Sequence, residues 1–388
     1  MIKRAGLLIA ALAVACTAPG AVIPSRSVDA AATPTIALAA RSVPVASDDL
    51  ASRVHPLVTG WRAQGTTLLV SVREPDGLSA TVYAVSLDGT VATTPLVSTS
   101  RVAGSAWRVD GSAFAVGIET AADSSRIAMW DLNTGAVRWI TADEPRVRHE
   151  SPVWSADGTA IYYAAHSSTP TSYTDLGIFK IGLDGSANTR VHGPDGNGGM
   201  PVGLTPDGTG LVWVRARAGG GTAVLDLDTG ASREFDPNGG SYPEAWRSMR
   251  PRALVISGGC CAGKPGGTLV LWDEVDGSSR VVGGIEKTSK VTAGATAWDP
   301  TGTRIAAQLF DISTLSYTAS IATMDADGSH RSTISSTDGA GDLMWLKEGI
   351  VFTRASGTEI VLISPDGHGS RVLYRGADRV DIAVIVPR

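Results

Sequence analysis

The stretch "SPVWSADGTAIYYAA", residues 151–165, decides the fold. A short apolar segment ends in Trp154, the polar Ser155-Ala156-Asp157-Gly158 follows, and a second run then starts that is apolar at nearly every place. Asp-Gly between two apolar runs marks a tight hairpin, because the turn needs positive φ and glycine supplies it without a steric penalty. A run that is apolar on both faces suits a strand whose sheet is packed between other sheets. Residues 151–165 therefore read as two antiparallel strands of a buried sheet.

The same pattern recurs along the chain. "WRAQG" at Trp61, "WRVDG" at Trp107, "LTPDG" at Leu204, "WRSMR" at Trp246, "WDPTG" at Trp298 and "WLKEG" at Trp345 accompany "WSADG" at Trp154. Successive anchors are 46, 47, 50, 42, 52 and 47 residues apart, and six of the seven carry glycine four places on, Arg250 being the exception. A second turn series keeps step: Asp88-Gly89, "NTG" ending at Gly135, Asp184-Gly185, "DTG" ending at Gly230, Asp276-Gly277, Asp327-Gly328 and Asp366-Gly367. Two turn series sharing one period define a repeat of about four short strands. Seven such repeats, stacked radially, predict an all-β, seven-bladed β-propeller of four-stranded antiparallel blades. Each anchor indole is expected to end an inner strand and fill the wedge between neighbouring blades.

"SPVWSADGTAIYYAA" followed by "IFKIGLDGSANTRV" resembles the repeat of TolB-like, WD-repeat-like propellers, with the core Pro152-x-Trp154-Ser155-x-Asp157-Gly158. The resemblance spans about residues 53–376 and implies an exported bacterial protein that binds another protein or a small ligand at the cell envelope, not a defined activity. TolB-type proteins carry an additional N-terminal domain for which this sequence shows no counterpart.

The N-terminus supports export. Lys3 and Arg4 precede the apolar run "AGLLIAALAVA", too short to span a bilayer comfortably and of signal-peptide form. "LAVAC" ending at Cys16 resembles a lipobox, with Ala13 where that pattern prefers Leu; lipidation at Cys16 and ordinary cleavage after Ala13-Val14-Ala15 both stay open. Residues 1–15 are thus expected to be a signal peptide, 16–52 a flexible tether rich in Ala, Pro, Ser, Thr and Val, and 53–388 the propeller. The mature chain is expected either lipid-anchored at the envelope or secreted, in a compartment that permits disulfides. The last stretch, "RVDIAVIVPR" (379–388), is expected to join the sheet of the first repeat and close the ring.

Composition agrees. Of 388 residues, 43% are hydrophobic and 18% charged, with 45 glycines, which suits many tight turns rather than charged helix surfaces. The net charge of -5 gives no electrostatic reason to bind nucleic acid or an anionic membrane surface, so membrane contact is expected only through the lipid anchor, and the chain is expected to be a monomer.

"GGCCAGKPGG" (258–267) has the glycine and lysine spacing of a P-loop, yet Pro265 follows Lys264 and the next run is a strand, so it cannot cradle phosphate. Cys260 and Cys261 are either a vicinal disulfide or two free thiols. This loop is expected on one face with "RVRHE" (146–150), "SSTPTSYTDL" (167–176), "GGSYPE" (239–244) and "GAGD" (339–342). Function usually sits on such varied loops, and a channel-mouth site is expected to bring His149, Glu150, Tyr242, Glu244 and Asp342 near the axis. No nucleophile elbow, His-Glu-x-x-His or Cys-x-x-Cys occurs, and the six histidines are scattered, so neither a catalytic set, a metal site nor a cofactor is expected. "DLDTG" (226–230) occupies a hairpin slot and reads as turn chemistry. The sequence favours a non-catalytic binding scaffold. The enzymatic alternatives are a quinoprotein-like propeller, from the likeness of "DLNTGAVRW" (131–139) to quinone-binding repeats, and a lactonase-like one.

Overall fold

The structure is a computed structural model that describes residues 50, 53–57, 66–73, 79–87, 93–99, 102–121, 123–169, 172–194, 198–205, 207–215, 222–234, 242–246, 252–257, 267–273, 278–285, 290–313, 318–337, 343–354, 357–376 and 380–385. Among these, the regular elements are β-strands throughout.

The strands fall into antiparallel meanders. The first comprises β1 (Val54–Pro56), β2 (Thr67–Arg73), β3 (Ala80–Ser86) and β4 (Thr93–Thr99). The next two are β5 (Val102–Trp107), β6 (Ala113–Ala121), β7 (Ser124–Asp131) and β8 (Val137–Trp139), then β9 (Val147–Trp154), β10 (Ala160–Thr169), β11 (Ser172–Gly182) and β12 (Thr189–His192). They are joined into one eight-stranded sheet by a single parallel bridge between Ser125 and Arg148. Four four-stranded sheets follow: β13 (Gly199–Leu204) to β16 (Ser232–Glu234), through β14 (Gly210–Arg215) and β15 (Thr222–Asp226); β17 (Tyr242–Trp246) to β20 (Ser279–Val281), through β18 (Arg252–Ser257) and β19 (Thr268–Asp273); β21 (Val291–Trp298) to β24 (Ser332–Thr337), through β22 (Arg304–Asp311) and β23 (Thr318–Asp325); and β25 (Leu343–Leu346) to β28 (Arg371–Arg375), through β26 (Gly349–Arg354) and β27 (Glu359–Ile363). The last strand, β29 (Val380–Ile385), returns to the first sheet and pairs with β2, from Thr67 opposite Ile385 to Val72 opposite Val380, giving the order β1-β4-β3-β2-β29.

Apolar faces meet in sequence order. Leu69 and Val82 of the first sheet pack on Phe114, Val116 and Trp130. Ile127 and Met129 pack on Ile161, Tyr163 and Phe179, Tyr162 and Ile178 on Leu211 and Trp213, and Val212 and Val224 on Trp272. Leu269 and Leu271 pack on Ile305 and Met324, Ala306 and Ile321 on Ile350 and Phe352, and Ile360 and Leu362 on Leu68, Val70 and Val85 of the first sheet again. A sheet covered on both sides needs apolar residues on both faces, and β6 and β7 are buried at six and seven consecutive positions.

The anchors end their strands as expected: Trp107, Trp154, Leu204, Trp246, Trp298 and Trp345 close or nearly close β5, β9, β13, β17, β21 and β25, while Trp61 lies outside the described residues. Trp107, Trp154, Leu204, Trp298 and Trp345 each pack in the cluster shared with the preceding sheet. Turn chemistry follows them. Asp157 accepts from the Ser155 hydroxyl (2.6 Å) and the Thr159 amide (3.0 Å), and Gly158 has φ +67. The backbone angle at Gly158 demands glycine, and the Arg108 side chain of the neighbouring turn lies over it.

Two features depart from the sequence reading. "RVRHE" and "SSTPTSYTDL" are largely strand, and so is the described end of "GGSYPE": β9 begins at Val147, β10 and β11 extend to Thr169 and from Ser172, and β17 begins at Tyr242. Backbone pairing runs on past the alternation that marked the strands, as in Ser167 opposite both Val147 and Thr174. Five leading strands also carry a register shift: β5, β9, β13, β17 and β21. Such bulges bend a strand and re-aim its side chains, and they follow from pairing rather than composition.

Candidate functional site

The leading strands β5, β9 and β13 lie beside one another and run in one direction, from the inter-sheet connections toward the anchor turns. Their starts gather the described part of the expected mouth. Glu119, near the end of β6, faces Arg148 of β9, with Nη2 2.5 Å from Oε1; Arg148 Nε lies 3.4 Å from Glu150 Oε1. All three side chains are partly buried. Arg53 reinforces the group by donating from Nη1 to the Glu119 carbonyl at 2.8 Å. Burial pushes the Glu150 carboxyl above its ordinary pKa; Arg148 opposes that and Glu119 adds to it.

His149 takes a different position. Its side chain is 3% exposed, and its ring Nδ1 is 3.0 Å from the Ser125 carbonyl, while Ser125 Oγ donates back to the His149 carbonyl at 3.0 Å. Burial holds its pKa down to about 4, against the Ser125 hydrogen bond and with the Arg126 and His166 charges adding. The ring is therefore neutral at pH 7. With a carbonyl as partner, Nδ1 carries the proton and Nε2 is left as an acceptor, 3.8 Å from Glu144 Oε1. The imidazole fastens β9 to β7 where the two sheets meet.

His166, which sequence reading passed over, is the most unusual residue here. It lies opposite Arg148 on one side and Asp175 on the other, and its ring is stacked on Tyr173 with centroids 4.7 Å apart. It is fully buried, yet neither ring nitrogen makes a hydrogen bond. Asp175 Oδ1 is 3.9 Å from Nδ1, too far to accept, and it takes the Gly177 amide instead at 2.8 Å. Burial, with a smaller push from Arg148, holds the His166 pKa down to about 4. Arg148 Nε and Thr120 Oγ1 are likewise buried without hydrogen bonds. The signal that could have found His166 is a lone histidine near the end of an otherwise apolar strand, "AIYYAAHSST".

Beside this group, a recess of about 570 Å³ opens between the β6–β7 turn and the β8–β9 connection, lined by Thr120, Asp123, Ser124, Arg126, Asp143 and Arg146. Arg126 is buried; its Nε and Nη2 donate to the Thr141 carbonyl at 3.1 and 2.9 Å, and its guanidinium sits 4.3 Å from the Trp139 ring centre.

The structure thus brings His149 and Glu150 to one strand end. Tyr242 and Glu244 are in β17, whose backbone is described and whose side chains are not, while Asp342, Cys260, Cys261 and Cys16 lie outside the described residues. Gly267, the last residue of the glycine-rich stretch, exchanges backbone hydrogen bonds of 2.8 and 2.9 Å with Ala293, near the start of β21. That is the same end of the sheets as His149. Among the described residues, no three His, Cys, Asp or Glu side chains are grouped to hold a metal ion.

No protein-family model matches the chain, and no curated protein sequence matches it. Among solved structures, a puromycin-hydrolyzing peptidase of Mycobacterium tuberculosis is similar at 15% identity and a TM-score of 0.57, over 82% of this chain and 53% of its own. The periplasmic gluconolactonase PpgL of Pseudomonas aeruginosa is similar at 13% identity and a TM-score of 0.52, over 84% of this chain and all of its own. TolB of Acinetobacter baumannii overlaps at 16% identity over 69% of this chain and 62% of its own, with a TM-score of 0.45 that carries no argument. The chain spans between about half and two thirds of the length of the peptidase and of TolB. The likeness is one of fold alone: an all-β set of antiparallel, mostly four-stranded sheets of the kind found in β-propellers.

Proposed function

We propose that the chain is a seven-bladed, TolB-like β-propeller, exported to the cell envelope, that acts as a binding scaffold and holds a partner or ligand at the end where its leading strands begin. Seven sequence repeats, the seam of apolar contacts running from each sheet to the next and back to the first, and the pairing of β29 with β2 support the closed ring. Lys3, Arg4 and the apolar run to Cys16 support export, with Cys16 as the lipid anchor.

The observation that carries the binding reading is His166, buried with neither ring nitrogen hydrogen-bonded, beside the ion-paired Glu119–Arg148–Glu150 group. A buried polar group without a partner costs roughly 1–3 kcal/mol, and a bound molecule that completes its hydrogen bonds recovers that cost. A neutral imidazole offers one donor and one acceptor, Arg148 a donor, and Glu150 an acceptor. That set suits a polar ligand or a partner's side chains better than a purely apolar one. His149 braces the strand that presents Arg148 and Glu150. Tyr242, Glu244, Asp342 and the Cys260–Cys261 loop complete the mouth in this reading.

Native mass spectrometry on protein purified from intact envelopes tests the proposal. Wild-type chain is expected to retain a bound species that a His166→Phe/Arg148→Met chain of equal thermal stability loses. Retention by the variant contradicts the mouth. Hydrolysis of a sugar lactone by the wild type, abolished in the same variant, would replace the scaffold reading with the lactonase-like alternative.

A further inference from the structure

The mouth is fastened from outside the repeats. Leu50, Arg53 and Val54 precede the first anchor, Trp61, and belong to none of the repeated units. Leu50 and Val54 are nevertheless 2% and 1% exposed, packed with Leu69 and Val82 of the first sheet and with Phe114 and Ile118 of the second. The Arg53 amide donates to the Leu50 carbonyl at 3.0 Å, a turn that leads the chain into β1. β1 is the edge strand of the first sheet and holds three pairs, from Val54 opposite Thr99 to Pro56 opposite Val97. Thr99 ends β4 and β5 starts at Val102, so this attachment lies at the end of the sheets where Arg148 and Glu150 stand.

From there one side chain reaches the site. Arg53 Nη1 donates to the Glu119 carbonyl at 2.8 Å, and Glu119 Oε1 is 2.5 Å from Arg148 Nη2. Glu119 stands where the pairing of its own strand gives out. The β5–β6 register ends with Val102 opposite Ile118, and the β6–β7 register shifts directly after Glu119 opposite Ser125. Thr120, the residue passed over by that shift, keeps a buried hydroxyl without a hydrogen bond. Backbone beside a bulge is bent out of the ladder, and a contact from outside the ladder can fix it. Arg53 makes that contact. Arg148 in turn lies opposite His166 and places Nε 3.4 Å from Glu150 Oε1. One run of contacts therefore joins a three-residue edge strand to Glu119, Arg148 and Glu150.

We propose that Leu50, Arg53 and β1 form a latch that regulates the mouth: docked, it holds Glu119 and Arg148 in the arrangement a ligand meets, and released, it lets that strand end loosen. The proposal rests on the mouth being the binding site. A short edge strand with one neighbour is the part of a sheet that opens most readily, and the buried Leu50 and Val54 give the docked state its apolar grip. The docked and released strand is the two-state element that coupling requires. Coupling is reciprocal: what favours the docked latch favours the assembled mouth, and a bound ligand tightens the latch.

Hydrogen exchange of the full chain, read by mass spectrometry, tests the latch without any ligand. Arg53→Met keeps an apolar stem and removes the hydrogen bond to Glu119. It is expected to speed amide exchange at residues 119–121 and 147–150 about tenfold, and to leave residues 153–155 and 160–162, at the far end of β9 and β10, at the wild-type rate. Arg53→Lys, which restores a donor, is expected to recover most of the protection. Leu50→Ala/Val54→Ala, which weakens docking and leaves the charged group untouched, is expected to reproduce the Arg53→Met pattern. Wild-type exchange at residues 119–121 and 147–150 in Arg53→Met, or an equal rise at both ends of β9, would overturn the latch. In native mass spectrometry, Arg53→Met is expected to lose the retained species about tenfold more readily than the wild type. A wild type that retains no species contradicts the mouth, whereas the exchange pattern decides the latch by itself.

Discussion

The indole Nε1 of Trp154 donates a 3.1 Å hydrogen bond to the carbonyl of Ala106, the residue before the anchor Trp107 of the preceding sheet. One side chain therefore fills the wedge between two sheets and also satisfies a backbone group at the edge of its neighbour. Both roles can be separated. Trp154→Phe keeps most of the ring area and removes the hydrogen bond, which should cost about 0.5–1.5 kcal/mol. Trp154→Ala also opens a cavity and should cost about 3–5 kcal/mol. Urea denaturation measures both; equal losses for the two variants would show that the hydrogen bond, not the packing, holds the seam.

Glycines at the outer turns differ in a way that denaturation can resolve. Gly230 and Gly328 both have positive φ, +72 and +87. A Cβ on Gly230 meets nothing within 4 Å, whereas one on Gly328 would stand 2.3 Å from the Cα of Gly283 in the turn that follows β20. Gly230→Ala should show only the backbone penalty of about 1 kcal/mol. Gly328→Ala should lose clearly more, because backbone must move. Equal effects would mean that the fifth and sixth sheets do not approach there.

Acid should loosen the second and third sheets. His149 and His166 are both held near pKa 4 in the folded chain, below the ordinary value of 6.5. Between about pH 6.5 and 4 the unfolded chain therefore binds more protons than the folded one, and stability falls as pH falls through that window. A melting-temperature series from pH 7 to 4 should show this decline, and His149→Gln/His166→Gln should flatten it. An unchanged slope in the double variant would place the acid sensitivity elsewhere.

Much of the fold could be read from turns. Trp107, Trp154, Leu204, Trp298 and Trp345 announce strand ends because an anchor beside a polar Gly turn is a local chemical pattern, and their packing against the preceding sheet follows from it. The tryptophans that are buried most completely, Trp130, Trp213 and Trp272, were not marked, since they sit inside strands that are apolar on both faces and nothing local separates them from Val or Ile. The bulges in the leading strands were invisible for a related reason: they belong to the pairing of two strands, not to either sequence.

The site was legible only in outline. His149 and Glu150 are adjacent in sequence, but alternation along β9 sends one ring to the Ser125 carbonyl and the other side chain to Arg148. Ser125, the partner of His149, and Glu119, the partner of Arg148, come from the preceding repeat, and no spacing rule links them. His166 gained its significance from what it lacks, hydrogen-bond partners, which only the packed structure reveals.

The proposed ring of seven blades is the claim on which the rest depends, and the β2–β29 register tests its closure most directly. Ser71 lies opposite Asp381 across that pair. In a chain whose Cys16, Cys260 and Cys261 are replaced by serine, Ser71→Cys/Asp381→Cys should form an intrachain disulfide on mild oxidation, because register partners in an antiparallel pair fall within disulfide reach. The account predicts a monomeric, faster-migrating species on a non-reducing gel with a raised melting temperature. Thiols that stay free, or that link only between chains, would contradict it.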